Sequence, residues 1–111
     1  MDFDRRLALS ALARILDKQR HLEDALAEAE ASLGARVQPR DRAFAHNLVA
    51  TTLRRLGQID ALIDALLDRP MPAKARGARQ ILRLGAAQLM FLGTPAHAVV
   101  DTAVDLAANT G

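Results

Sequence analysis

Residues 40–60 read RDRAFAHNLVATTLRRLGQID, and their pattern decides the fold. Pro39 stands just before them. Proline suits the first helical turn, where its missing N–H would have no partner anyway. At about 100° per residue, Phe44, Leu48, Val49, Thr52, Leu53 and Leu56 fall on one side. Arg40, Asn47 and Arg54 are seven apart and line the other side with little drift. Gly57 follows, and glycine readily takes the left-handed conformation that ends a helix. The spacing predicts a helix that stops at Gly57. One face can enter a core, and the other offers guanidinium groups to solvent or to a polyanion. Neither face holds a set of catalytic groups.

The composition agrees with a helical reading. A chain of 111 residues makes one domain and buries roughly two thirds of its unfolded surface. Half the residues are hydrophobic, yet there is no Trp, no Tyr and only three Phe. Ala and Leu must therefore supply the core, and both favour helices. No run alternates as a strand would, so the expected class is all-α. There is no Cys, which excludes disulfides, thiol nucleophiles and Cys-based zinc sites. No apolar run approaches the roughly 20 residues that span a bilayer. The opening MDFDRRLALSALARILDK carries charges within its apolar part, unlike a secretory signal. A cytoplasmic protein is expected.

Five further helices flank the central one. The first is predicted over about 4–18, with Leu7, Ala8, Ala11, Leu12 and Ile15 inward and Arg6, Ser10, Arg14 and Asp17 outward. The second covers about 23–33, with Leu22, Leu26, Ala29 and Leu33 inward and acids in its first turn, where they suit the helix dipole. Gly34 stops it, and residues 35–38 form a link. The fourth begins after Gly57 and ends near Asp68, with Ile59, Leu62, Ile63, Leu66 and Leu67 inward. Arg69-Pro70-Met71-Pro72 is a break, because both prolines push the preceding residue to extended backbone. The fifth spans about 75–91. Ile81, Leu84, Gln88, Leu89 and Leu92 cover one side, and Arg76, Arg79 and Arg83 share the other. After Gly93, Thr94 as N-cap and Pro95 open a sixth helix to about Ala108. Val100, Ala103, Val104 and Ala107 are its expected core side.

Charge is unevenly spread. The net value is +2, but residues 36–83 hold ten bases and four acids, a local +6. Thirteen of the fifteen bases are Arg, which binds phosphate in a forked, bidentate manner. Codon bias towards Arg and Ala would explain the number but not the clustering. Arg5, Arg6, Arg14, Arg40, Arg54, Arg76, Arg79 and Arg83 are the candidate RNA contacts; any one of them taken singly is more often a solvated helix surface, and it is the set, spread over three helices, that points to a phosphate backbone. With few aromatic residues, binding would rest on charge and shape rather than base stacking. Arg55 is set apart: it lies at the edge of the apolar stripe, beside Phe44, and is expected to pair with an acid. His97 and Asp101 share a helix face, but two ligands do not make a zinc site. No phosphate loop, dinucleotide fingerprint or metalloprotease motif occurs. The expected catalytic, cofactor and metal residues are none.

Taken with the later segment RQILRLGAAQLMFLGTPAHAVVDTAVDLA and the opening RRLALSALARILDKQRHLEDALAEA, residues 40–60 resemble the N-terminal NusB-like domain of the RsmB/Sun (Fmu) ribosomal RNA cytosine-C5 methyltransferases. The resemblance covers nearly the whole chain, and ILRLGAAQLMFLGTPAHAVVDTAVDLA is its most specific part. It implies an all-α, NusB-like bundle of about six helices forming one domain over 1–111. It also implies a non-catalytic, RNA-binding role beside a C-terminal domain of the same protein that binds S-adenosylmethionine and carries catalytic cysteines. Ribosomal RNA and that C-terminal domain are the implied partners. Arg5 and Arg6 match the start of a first helix that contacts RNA in the related antitermination factor. A free-standing antitermination factor of the same fold is the alternative, and a scaffold that does not touch RNA is a third. Family members continue beyond the sixth helix, so the chain reads as a fragment. The uncovered apolar groove on the fifth and sixth helices is expected to pair with a second copy.

Overall fold

The computed structural model describes residues 3–34 and 37–110. Ala35 and Arg36 of the expected link, and Gly111, lie outside the described residues. Six α-helices follow in order: α1 (Phe3–Lys18), α2 (Leu22–Leu33), α3 (Pro39–Arg54), α4 (Leu56–Leu66), α5 (Arg76–Ala87) and α6 (Ala96–Thr110). A 3₁₀ turn, Ala73–Ala75, leads into α5, and a π-helical turn, Gln88–Leu92, follows it. Among the described residues there is no strand, and the all-α class expected from the sequence is the observed one. No described helix is long and apolar enough to cross a membrane.

The chain divides into two compact units, Met1–Ala50 and Thr51–Gly111. In the first, α1 packs along α2. Leu7, Ala8, Ala11 and Leu12 are buried on α1, and Ala25 and Ala29 on α2. Both α2 positions are alanines, and small side chains let two helices approach closely. Leu26 and Leu33, expected inward, are only half-buried. Gly34 ends α2 at φ 57°, as its sequence position predicts. Gln19 ends α1 at the same φ without being glycine.

The division falls within α3, and the expected end of that helix is corrected. Gly57 does not adopt a positive φ; it lies within the first turn of α4. The interruption is at Arg55, whose φ of −109° and ψ of 19° leave the helical region for one residue. Its amide still donates to the Thr51 carbonyl at 3.0 Å, and its carbonyl accepts from the Ile59 amide at 2.9 Å. The hydrogen-bonded ladder is therefore barely broken, and glycine is not needed to turn the chain.

In the second unit α5 packs against both α4 and α6. Ile59 and Ile63 of α4, Ile81 and Leu84 of α5, and Val99 and Leu106 of α6 are buried. Gly85 sits at the α5–α6 contact, where an added Cβ would come 3.3 Å from Val99 Cγ1. Buried Gln88 donates to the Leu84 carbonyl at 3.0 Å, and the Thr102 hydroxyl donates to the Ala98 carbonyl at 2.8 Å. Among the described residues no buried side-chain polar atom lacks a partner.

The expected core side of α6 is corrected. Val99, Thr102 and Leu106 face inward, whereas Val100 is 59% and Val104 64% exposed. The helix is apolar on both sides, so periodicity alone could not choose between them. Leu66 of α4 and Leu89 after α5 were also expected inward and are 75% and 51% exposed. Leu66, Leu89 and Val100 line an open apolar groove of about 310 Å³ between α4, α5 and α6.

Candidate nucleic-acid interface

Arginines occur on several helices, as the sequence indicates, but they fall into two groups. In the first unit, Arg5 lies on the first turn of α1. Its Nη1 is 2.9 Å from Asp4 Oδ2, and its guanidinium stacks over the Phe44 ring, 4.3 Å from the centroid. A cation over an aromatic face contributes about 0.5–1 kcal/mol at an exposed site. Arg14 reaches across to α2. Its Nη2 donates to Ser32 Oγ at 2.8 Å, and Nη1 lies 3.5 Å from Glu28 Oε1. Both arginines hold α1 in place.

In the second unit, Asp60 of α4 is the acceptor at the centre of an ion network. Arg83 grips it with both prongs, Nε to Oδ1 at 2.7 Å and Nη2 to Oδ2 at 2.8 Å. Arg79 adds Nη2 to Asp60 Oδ1 at 3.2 Å and Nη1 to Asp64 Oδ1 at 2.9 Å. The hydrogen bond from Arg83 is the largest influence on Asp60, and with the charges of both arginines it holds that carboxyl below its ordinary pKa. The Arg79 guanidinium is held protonated above its ordinary range, chiefly by Asp64. Arg83 also donates to Gln80 Oε1 at 3.0 Å. These two side chains are only 16–18% exposed.

The remaining arginines differ. Among the described residues, Arg6, Arg40 and Arg54 make no side-chain hydrogen bond or ion pair. Arg40 and Arg54 are exposed, as is Arg76 at the start of α5. The eight candidates thus include Arg5, Arg14, Arg79 and Arg83, which face carboxylates of the chain itself, and Arg6, Arg40 and Arg54, which among the described residues do not. Arg6, Arg40 and Arg54 present their charge to a partner without first giving up an ion pair among the described residues.

Arg55 is a correction. It does not pair with an acid among the described residues; its guanidinium lies 5.1 Å from the centre of the Phe91 ring. Phe44 takes Arg5 instead. The sequence also gave no notice of the Arg42–Glu30 pair, a fork at 2.7 and 2.9 Å. That pair lowers the pKa of Glu30 through the hydrogen bond. His46 Nε2 is 3.0 Å from Glu23 Oε1. Both pairs join α2 to α3 across 12 and 23 positions of sequence. Among the described residues, no three His, Asp or Glu side chains gather where they could hold a metal ion.

The fold is thus all-α, with arginines on several of its helices. This chain belongs to the NusB family, which matches residues 3–111. Its curated relatives carry a more specific name. It is 31% identical over 101 residues to the ribosomal RNA small subunit methyltransferase B of Proteus mirabilis, covering 91% of this chain and 23% of that protein. The Serratia proteamaculans protein of the same name is 34% identical over the same shares. A Synechocystis protein named "Probable ribosomal RNA small subunit methyltransferase B" is 42% identical over 76 residues, 68% of this chain and 17% of that one. The chain therefore spans less than a quarter of the length of these relatives. No solved structure matches it significantly.

Proposed function

We propose that this chain is the RNA-engaging, non-catalytic domain of a small-subunit ribosomal RNA cytosine-C5 methyltransferase, working in the cytoplasm. The observation that carries the reading is its likeness, over nine tenths of its own length, to part of proteins named ribosomal RNA small subunit methyltransferase B. Methyl transfer from S-adenosylmethionine belongs to another part of the protein in this reading, and the present chain supplies affinity for ribosomal RNA. Arg6 and Arg40 in the first unit, and Arg54 in the second, are the contacts we assign to phosphate. Arg5 and Arg14 position α1, and Arg79 and Arg83 brace α4 against α5.

One observation favours a second reading, a packing scaffold that leaves RNA alone: half of the candidate arginines face carboxylates within the chain. A salt titration of binding to a ribosomal RNA fragment, followed by fluorescence anisotropy, separates the two. Phosphate contacts make log K fall linearly with log salt, at about 0.7–0.9 per contact. Replacing Arg40 and Arg54 together by Ala should weaken binding and flatten that slope by about 1–2. Binding that is absent at low salt, or unchanged in the double variant, would leave the scaffold reading standing.

A further inference from the structure

Arg55 stands where α3 gives way to α4 and carries a charge that no acid among the described residues neutralises. Its backbone leaves the helical region for one residue, but its two peptide groups keep their helical partners, Thr51 and Ile59. The side chain is exposed. Among the described residues its guanidinium makes no hydrogen bond or ion pair. Asp60 and Asp64, the acids of α4, are already held by Arg79 and Arg83 of α5. Arg55 contacts the Phe91 ring instead, whose centre lies 5.1 Å from the guanidinium carbon. Both residues belong to the second unit.

Two departures from regular helix build this contact. Phe91 lies in the π-helical turn Gln88–Leu92, a form that recurs at functional sites. Arg55 lies at the α3–α4 interruption. Phe91 is half-buried, so the ring is held by its own unit while the guanidinium stays open to solvent. A ring within about 6 Å attracts the cation through its π face. An arginine can stack on an aromatic face and still use its fork of N–H groups on a phosphate. The ring also lowers the cost of that grip. A long side chain gives up rotamer freedom when it binds, and Arg55 has given up part of it beforehand. Its neighbour Arg54 is exposed and has no ring contact, hydrogen bond or ion pair of its side chain among the described residues.

We propose that Arg55, held over Phe91, is the pre-ordered phosphate contact of the second unit, gripping a phosphodiester of bound RNA, with Phe91 as its positioning residue. This role rests on the RNA-binding function proposed above and adds a residue and its support to it. Fluorescence anisotropy of a labelled small-subunit ribosomal RNA fragment, across a salt series, tests it. Arg55 is exposed, so its variants should keep the helical circular dichroism of the parent. Arg55→Ala should weaken binding about tenfold, as expected for a charged hydrogen-bonded contact. It should also flatten the slope of log K against log salt by about 0.7–0.9. Arg55→Lys should keep the slope yet bind less tightly than the parent, because an ammonium has no fork. Phe91→Leu should weaken binding about two- to fivefold through lost ordering rather than lost charge. The slope should then stay as it is, and the loss should vanish in the Arg55→Ala background. Phe91→Tyr keeps the ring and should bind like the parent. A parent that binds, and that is weakened by Arg54→Ala but not by Arg55→Ala, overturns this role alone. So does a folded Phe91→Leu variant that binds like the parent. A parent that binds no RNA at low salt overturns both this role and the RNA-binding function.

Discussion

Arg83 of α5 holds Asp60 of α4 with two parallel hydrogen bonds, 2.7 and 2.8 Å long, across 23 positions of sequence. The forked geometry matches guanidinium to carboxylate and is the strong form of an ion pair. The pair is partly shielded, 16% and 26% exposed. It clamps α4 to α5 on the side where Arg79 adds a second cation.

Asp60→Asn keeps the side-chain shape and removes the charge. It should destabilise the protein by about 1–2 kcal/mol at pH 7, above an isolated surface pair because two arginines lose their acceptor. The folded pKa of Asp60 is depressed. Its contribution is therefore complete above the unfolded carboxylate pKa of about 4 and is lost as pH falls through the folded value. Urea denaturation of parent and variant at pH 7 and pH 2.5 checks this. The gap should narrow at the lower pH, and a constant gap would mean that charge is not its origin.

Arg79 and Arg54 should part company. Arg79→Ala breaks contacts to both Asp60 and Asp64 and should lower stability by about 1 kcal/mol. Arg54→Ala should leave stability within about 0.5 kcal/mol while weakening RNA binding. Parallel melting and anisotropy measurements read both. Equal effects of the two variants on melting would overturn the division of the arginines into two groups.

Two glycines predict opposite results. Gly57 and Gly85 both lie inside helices. A Cβ at Gly57 meets nothing within 4 Å, whereas one at Gly85 meets Val99 at 3.3 Å. Gly57→Ala should stabilise by about 0.5–1 kcal/mol through helix propensity. Gly85→Ala should forfeit that gain, because Val99 is 5% exposed and has little room to retreat. Chemical denaturation of each variant against the parent suffices; a gain at Gly85 equal to that at Gly57 would show the α5–α6 contact to be loose.

The end of α1 offers a simple improvement. Gln19 sits at φ 57°, where a side chain costs energy that glycine avoids. Gln19→Gly should stabilise by about 0.5–1 kcal/mol, after allowing for the added freedom of glycine in the unfolded chain. Thermal unfolding at fixed concentration is the measurement, and a lowered melting temperature would show that the Gln19 side chain makes a compensating contact.

The punctuation of the fold was legible where one residue type had a single physical use. Gly34 ends α2, and Pro70 and Pro72 fall in the non-helical stretch between α4 and α5. Gly57 misled because glycine permits a turn without requiring one, and Arg55 makes the break instead. The inward face of α6 was not legible, since Val99 and Val100 serve equally well as core residues until the position of α5 is known. The arginines posed the same difficulty. Periodicity groups Arg76, Arg79 and Arg83, but the acids that hold the last two lie 15–23 positions earlier on another helix. No local pattern records that pairing.

The π-helical turn at Gln88–Leu92 has a consequence for comparing sequences. Bonding from i to i+5 accommodates one residue more per turn than an α-helix does. That turn therefore behaves as a single-residue insertion carried inside a helix without a loop. A uniform 100° step drawn through it mixes two registers. A relative one residue shorter at this point could keep α5 and α6 intact. A gap placed between residues 88 and 92, rather than in the Gly93–Pro95 loop where gaps are ordinarily put, would then align the two correctly.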